Sequence, residues 1–155
     1  MKKHFFFLLA IFSMMQGFAQ SDSVRIIDID KTIQEIKNDT TIHMVEKAKE
    51  QGGGYRHAYI KDKELKRTTV YHRDQNTDKS VEWYFSNGQL IYSEQIWTNI
   101  KSQKIVDDEK FYLADGHLFA WIKMNGKYVD KDSKQFKGFE DGLEGYIIKL
   151  KEDAK

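Results

Sequence analysis

The stretch Tyr84-Phe85-Ser86-Asn87-Gly88-Gln89-Leu90 decides how this chain folds. Asn-Gly between two apolar runs marks a two-residue hairpin turn, because both central positions need positive φ and these residues adopt it at least cost. The pattern returns 28 residues later as Tyr112-Leu113-Ala114-Asp115-Gly116-His117-Leu118. It also occurs 25 residues earlier, in looser form, as Tyr59-Ile60-Lys61-Asp62-Lys63-Glu64-Leu65, with Lys63 in the glycine position. Asn125-Gly126 is a trace of a fourth copy. The shared unit is Tyr, apolar, any, Asn/Asp, Gly, any, Leu.

Three such hairpins in series predict a six-stranded antiparallel meander, with strands near 54–61, 64–73, 79–86, 89–98, 104–114 and 117–124. Outside them the period changes. Ile29, Ile33 and Ile36, then Ile42, Val45 and Ala48, recur at helical spacing, so 28–51 reads as helical. Asn38-Asp39-Thr40 divides that stretch, with Asp39 or Thr40 as a cap, and Gly52-Gly53-Gly54 ends it, since each glycine costs about 1 kcal/mol inside a helix. Phe136, Phe139, Leu143, Tyr146, Ile147 and Leu150 form one apolar stripe, predicting a helix over 133–151 capped by Ser133 or Asp132. The expected fold is α+β: N-terminal helix, meander, C-terminal helix.

Residues 1–19 read as a secretory signal peptide. Lys2 and Lys3 form a basic start, Phe5 to Met15 is apolar apart from Ser13, and Gly17-Phe18-Ala19 places small residues where a signal peptidase cuts. The run is about half the roughly 20 residues of a membrane span. The mature chain is expected to begin at Gln20, as one domain over 20–155. It has 23 basic and 24 acidic residues, a net charge of −1, which gives no electrostatic case for nucleic acid. The sequence has no cysteine, so no lipid anchor follows the cleavage site and packing alone must hold the domain in an oxidising compartment. Export to the periplasm or the medium is the expected localisation.

A two-residue turn fixes which side chains share a sheet face. With plain pairing, Phe85 meets Leu90, Trp83 meets Tyr92, Leu113 meets Leu118 and Phe111 meets Ala120 on a mainly aliphatic face. The opposite face carries Tyr59, Tyr84, Trp97, Tyr112, Phe119 and Trp121. Alternation would make a solvated face polar. An aromatic one is either a recognition surface, where Tyr and Trp dominate, or a face covered by the second helix or by curling of the sheet.

No catalytic or metal-binding pattern stands out. His72-Arg73-Asp74 copies part of a kinase catalytic loop without the downstream Asn or a nucleotide loop. Asp28-Ile29-Asp30 lacks the Gly and Glu of a calcium loop and suits an acidic helix start. His57 and His72 share a face of the first hairpin but stand about 13 Å apart at 3.3 Å per residue, too far for one zinc ion. His117 is a hairpin position. Glu94 is expected opposite Val81 on the apolar face, where burial would raise its pKa. No metal site and no cofactor are expected.

The Tyr-x-x-Asn/Asp-Gly-x-Leu hairpins resemble MORN-type repeat proteins. Over roughly 28–150 the layout is similar to uncharacterised exported bacterial proteins. It shares Gly53-Gly54, Glu82-Trp83-Tyr84-Phe85, Asn87-Gly88, Phe111-Tyr112, Asp115-Gly116 and Trp121. The resemblance implies the fold and export but no activity and no functional residues. The leading expectation is a non-enzymatic module that binds a protein, peptide or glycan through its sheet. The alternatives are a small hydrolase and an inhibitor or immunity-type protein acting through loops such as 74–78 or 99–104.

Overall fold

The computed structural model describes residues 22–49 and 54–152, with the side chains of 46–49 outside that description. The expected signal peptide, the start at Gln20, and Gly52 and Gly53 lie outside the described residues. Helix α1 covers 22–38. The strands are β1 His43–Lys49, β2 Tyr55–Lys61, β3 Glu64–Arg73, β4 Thr77–Ser86, β5 Gln89–Asn99, β6 Ile105–Ala114 and β7 His117–Lys123, followed by helix α2 Lys134–Glu152. They form one antiparallel sheet in sequence order, β1 to β7. The fold is α+β as expected, with seven strands in place of six.

The extra strand replaces the second half of the expected 28–51 helix. The break at Asp39 is real: Thr41 N–H and Thr41 Oγ1 both donate to Asp39 Oδ1, at 2.9 and 2.6 Å. Lys61 at the end of β2 then donates to Asp39 Oδ2 at 2.7 Å. That tie delivers the next residues to the β2 edge, where Val45 pairs with Ala58, and ladder pairing overrides their helical spacing.

All three hairpin turns have positive φ at both central residues: Asp62 and Lys63 (51° and 64°), Asn87 and Gly88 (50° and 71°), Asp115 and Gly116 (54° and 83°). This is the type I′ geometry whose twist matches the strands. Each turn is followed by the same irregularity. Ile60 pairs with Leu65 but Tyr59 with Arg67; Phe85 with Leu90 but Tyr84 with Tyr92; Leu113 with Leu118 but Tyr112 with Ala120. Lys66, Ile91 and Phe119 are therefore bulge residues, one per repeat.

The bulges correct the plain pairing. Trp83 faces Ser93, not Tyr92, and Phe111 faces Trp121, not Ala120. The row Tyr59–Arg67–Tyr84–Tyr92–Tyr112–Ala120 then runs across six strands on one face. Ile33 and its neighbours Ile29 and Ile36 on α1 pack onto this face, with Ile91 and Phe119 added by the bulges. The other face, with Trp83, Phe85, Leu90, Phe111, Leu113, Leu118 and Trp121, packs under Phe136, Leu143 and Leu150 of α2. Phe111 is 1% exposed and stacks on Phe139 at 4.1 Å, a burial that contributes about 1.5–3 kcal/mol. Ser133 caps α2 by accepting from Phe136 N–H at 3.2 Å. The sheet is thus sandwiched between one helix on each face.

Candidate functional site

The six residues of the expected aromatic face do not form one surface. Tyr84, Tyr112 and Phe119 are together under α1, at 0%, 4% and 8% exposure. Tyr59 lies beside them, half-buried, with the Arg67 guanidinium 4.7 Å above its ring. Trp97 and Trp121 are on the α2 side, because the bulges at Ile91 and Phe119 invert the alternation for every residue beyond them. Trp97 is half-buried opposite Lys79, whose ammonium sits 4.6 Å from its ring. Trp121 is 4% exposed, packed on Phe111 and Phe139 at 4.9 and 5.3 Å. Tyr84, Tyr112, Phe119 and Trp121 are core, and the half-buried Tyr59 and Trp97 stand on opposite faces, so the six offer no continuous contact surface. Tyr92, assigned by simple alternation to the aliphatic face, belongs under α1 at 4% exposure.

The α1 face continues beyond its tyrosines into a row of charges. Glu82 stands directly opposite Glu94, and Glu94 opposite Lys110. This moves Glu94 from its expected place against Val81, which faces Gln95. Like charges opposed across strands are destabilising, and each carboxylate here is held separately. Glu82 accepts from Arg67 Nη2 on one oxygen and from Tyr84 Oη on the other. Lys110 Nζ lies 3.6 Å from Glu94 Oε1 and 4.0 Å from Asp108 Oδ2. Burial opposes the charge on Arg67, but Glu82, with Tyr84 and Tyr59, outweighs it and raises its pKa. Tyr84, Tyr92 and Tyr112 are pushed far above the ordinary phenol value, first of all by burial, so all three stay protonated as donors. The set is a structural network in which Glu82 and Glu94 each face a basic partner, while Arg67 Nε and Asp108 Oδ1 are buried without a hydrogen bond.

The α2 side is different. The helix leaves a cleft of about 630 Å³ over β2–β5. Its floor includes Arg56 from β2, Val70 and His72 from β3, Lys79, Val81 and Trp83 from β4, and Gln95 from β5. Its wall is α2, which turns Gly138 and Gly142 toward it, one turn apart, with Tyr146 stacked on Trp83 at 6.1 Å. A Cβ at either glycine would meet nothing within 4 Å, so the missing side chains widen the cleft without any close approach of backbone. In the sequence these glycines interrupt a helical stripe without announcing a cavity, and nothing in the spacing of the strand residues reveals a cleft.

A neighbouring hollow of about 520 Å³ at the sheet end shares His72 and Lys79. Its acid, Asp78, is paired with Arg73 by two hydrogen bonds at 2.6 and 2.9 Å. His117 is exposed beside Glu140 at 3.3 Å. Among the described residues no group of three or more His, Asp or Glu is placed to hold a metal ion, and no helix is long and apolar enough to cross a membrane.

Comparison with family models, with curated proteins and with solved structures returns no match for this chain.

Proposed function

We propose that this chain is an exported, non-enzymatic binding module whose β-sheet supplies the floor of a ligand cleft walled by α2. The observation that carries this reading is the cleft itself. A space of about 630 Å³ with apolar and aromatic walls and a few polar groups has the size and lining of a small-molecule site. The floor strands β2–β5 are consecutive hydrogen-bonded neighbours in one sheet, so the floor is preorganised. Sheet-based binding is thereby kept, and the contact surface moves from the buried tyrosines to the α2 side. Export rests on the sequence pattern of residues 1–19 and on the resemblance to exported proteins of the same hairpin layout.

A hydrolase reading would draw on Glu82 and Glu94. Both are already engaged by basic partners, which favours a structural role for them. The test is purification of the mature chain from its native envelope, followed by solvent extraction and mass spectrometry of whatever accompanies it. Bound material in the wild type that is missing from Gly142→Leu supports the cleft. Equal material in both, or none in either, overturns it. Peptide mapping of the same sample should place the N-terminus at Gln20.

A further inference from the structure

The cleft's lining is one-sided in charge. Among the described residues it contains the basic side chains of Arg56, Lys79 and Lys149, with His72 beside Lys79, and no aspartate or glutamate. Val70, Val81, Trp83 and Leu143 are among its apolar lining.

We propose that the cleft binds an amphipathic organic anion, with an acyl or aryl body over the strand floor beneath Gly138 and Gly142 and its carboxylate at the His72–Lys79 end. This rests on the cleft being the binding site.

The polar end is built, not incidental. His72 and Lys79 are direct cross-strand partners on β3 and β4, one alternation beyond the Val70–Val81 pair on the same face. Lys79 is half-buried, and among the described residues no carboxylate pairs with it. Its ammonium rests on the Trp97 ring at 4.6 Å, which fixes its position while leaving its donors available. Burial lowers its pKa, only partly offset by Glu109, so a bound anion would relieve an existing cost. The nearby Glu109 is committed to Lys123 at 3.1 Å. At the other end, Val70 and Val81 are only half-buried although they lie beneath a helix, because the facing positions on that helix are glycines. An apolar body there would remove from water the surface that the two missing side chains leave wet, at about 25 cal/mol per Å².

The test is isothermal titration of the full mature chain with dodecanoate, dodecanol and dodecyltrimethylammonium, each below its micelle concentration. Dodecanoate should bind most tightly, dodecanol about tenfold more weakly, and the cation not measurably. Lys79→Gln should weaken dodecanoate about tenfold and leave dodecanol unchanged. Gly142→Leu, which adds bulk in open space, should abolish both while keeping the fold, as judged by an unfolding temperature at or above wild type. Equal affinity for the anion and the alcohol, preference for the cation, or no binding of any of the three overturns the anion assignment and leaves the cleft to the extraction experiment. Unchanged dodecanoate binding in Gly142→Leu overturns the assignment and the cleft together.

Discussion

The Tyr112 hydroxyl donates to Asp30 Oδ1 at 3.0 Å, joining β6 to α1 across 82 residues of sequence. Tyr112 is 4% exposed and stands second from the end of the cross-strand row that seats the helix, 5.0 Å from the Tyr92 ring. The bond orients α1 over the sheet where apolar packing alone would let it slide. Tyr112→Phe keeps the ring and leaves Asp30 to solvent. It should lower unfolding free energy by about 1–2 kcal/mol in urea titration, with little change in the denaturant slope. A loss indistinguishable from zero would mean that α1 is positioned by its isoleucines alone.

Arg67 separates two facing carboxylates from a net repulsion. Without it, Glu82 confronts Glu94 at the centre of the sheet with only the Tyr84 hydroxyl to hold it. Both Arg67 and Glu82 side chains are largely buried, at 22% and 18% exposure. Arg67→Met should cost about 2 kcal/mol. Adding Glu82→Gln should recover part of that loss, because the like-charge opposition goes with it. A double variant less stable than Arg67→Met would contradict this account.

The Asp39–Lys61 pair should write itself into the acid limb of stability. The Lys61 hydrogen bond, followed by those from Thr41, holds the Asp39 carboxyl well below the usual carboxylate range. A carboxylate with a lower pKa folded than unfolded stabilises fully above its unfolded value, about 4, and loses that contribution as pH falls toward the folded value. The same bond raises Lys61, whose contribution is present below about 10.4 and disappears as pH rises past its folded value. Urea midpoints of Asp39→Asn should therefore lie below wild type above about pH 5 and converge with it on acidification. Parallel curves across the acid range would show that the pair contributes nothing to folding.

Lys63 occupies the glycine position of the first turn with a φ of 64°. A lysine there carries a left-handed conformation that costs about 1–2 kcal/mol, part of which glycine returns as chain entropy. Lys63→Gly should stabilise by about 0.5–1 kcal/mol, a rise of roughly 2–4 °C by calorimetry. Gly116→Ala, at φ 83°, should move the midpoint the other way. An unchanged or lower midpoint in Lys63→Gly would show that the strained lysine is compensated elsewhere.

What the sequence determined by itself was local. Asn87-Gly88 and Asp115-Gly116 dictate two I′ turns, and the weaker Asp62-Lys63 copy dictates a third. From them follow six strands and their antiparallel order, and the stripe from Phe136 to Leu150 dictates an amphipathic α2. Three matters were decided by tertiary structure. Residues 43–49 became β1 because the Asp39–Lys61 tie brings them to an open edge, although their own spacing favours helix. The faces of Tyr92, Glu94, Trp97 and Trp121 were set by bulges at Ile91 and Phe119. A one-residue insertion inverts every side chain beyond it, and no turn residue announces it. It is selected because Ile91 and Phe119 then enter the α1 core. Lastly, the cleft exists only where Gly138 and Gly142 on α2 come to face β3 and β4. Elements this distant in sequence are brought together only by packing, so the cleft was settled by the fold and not by any motif.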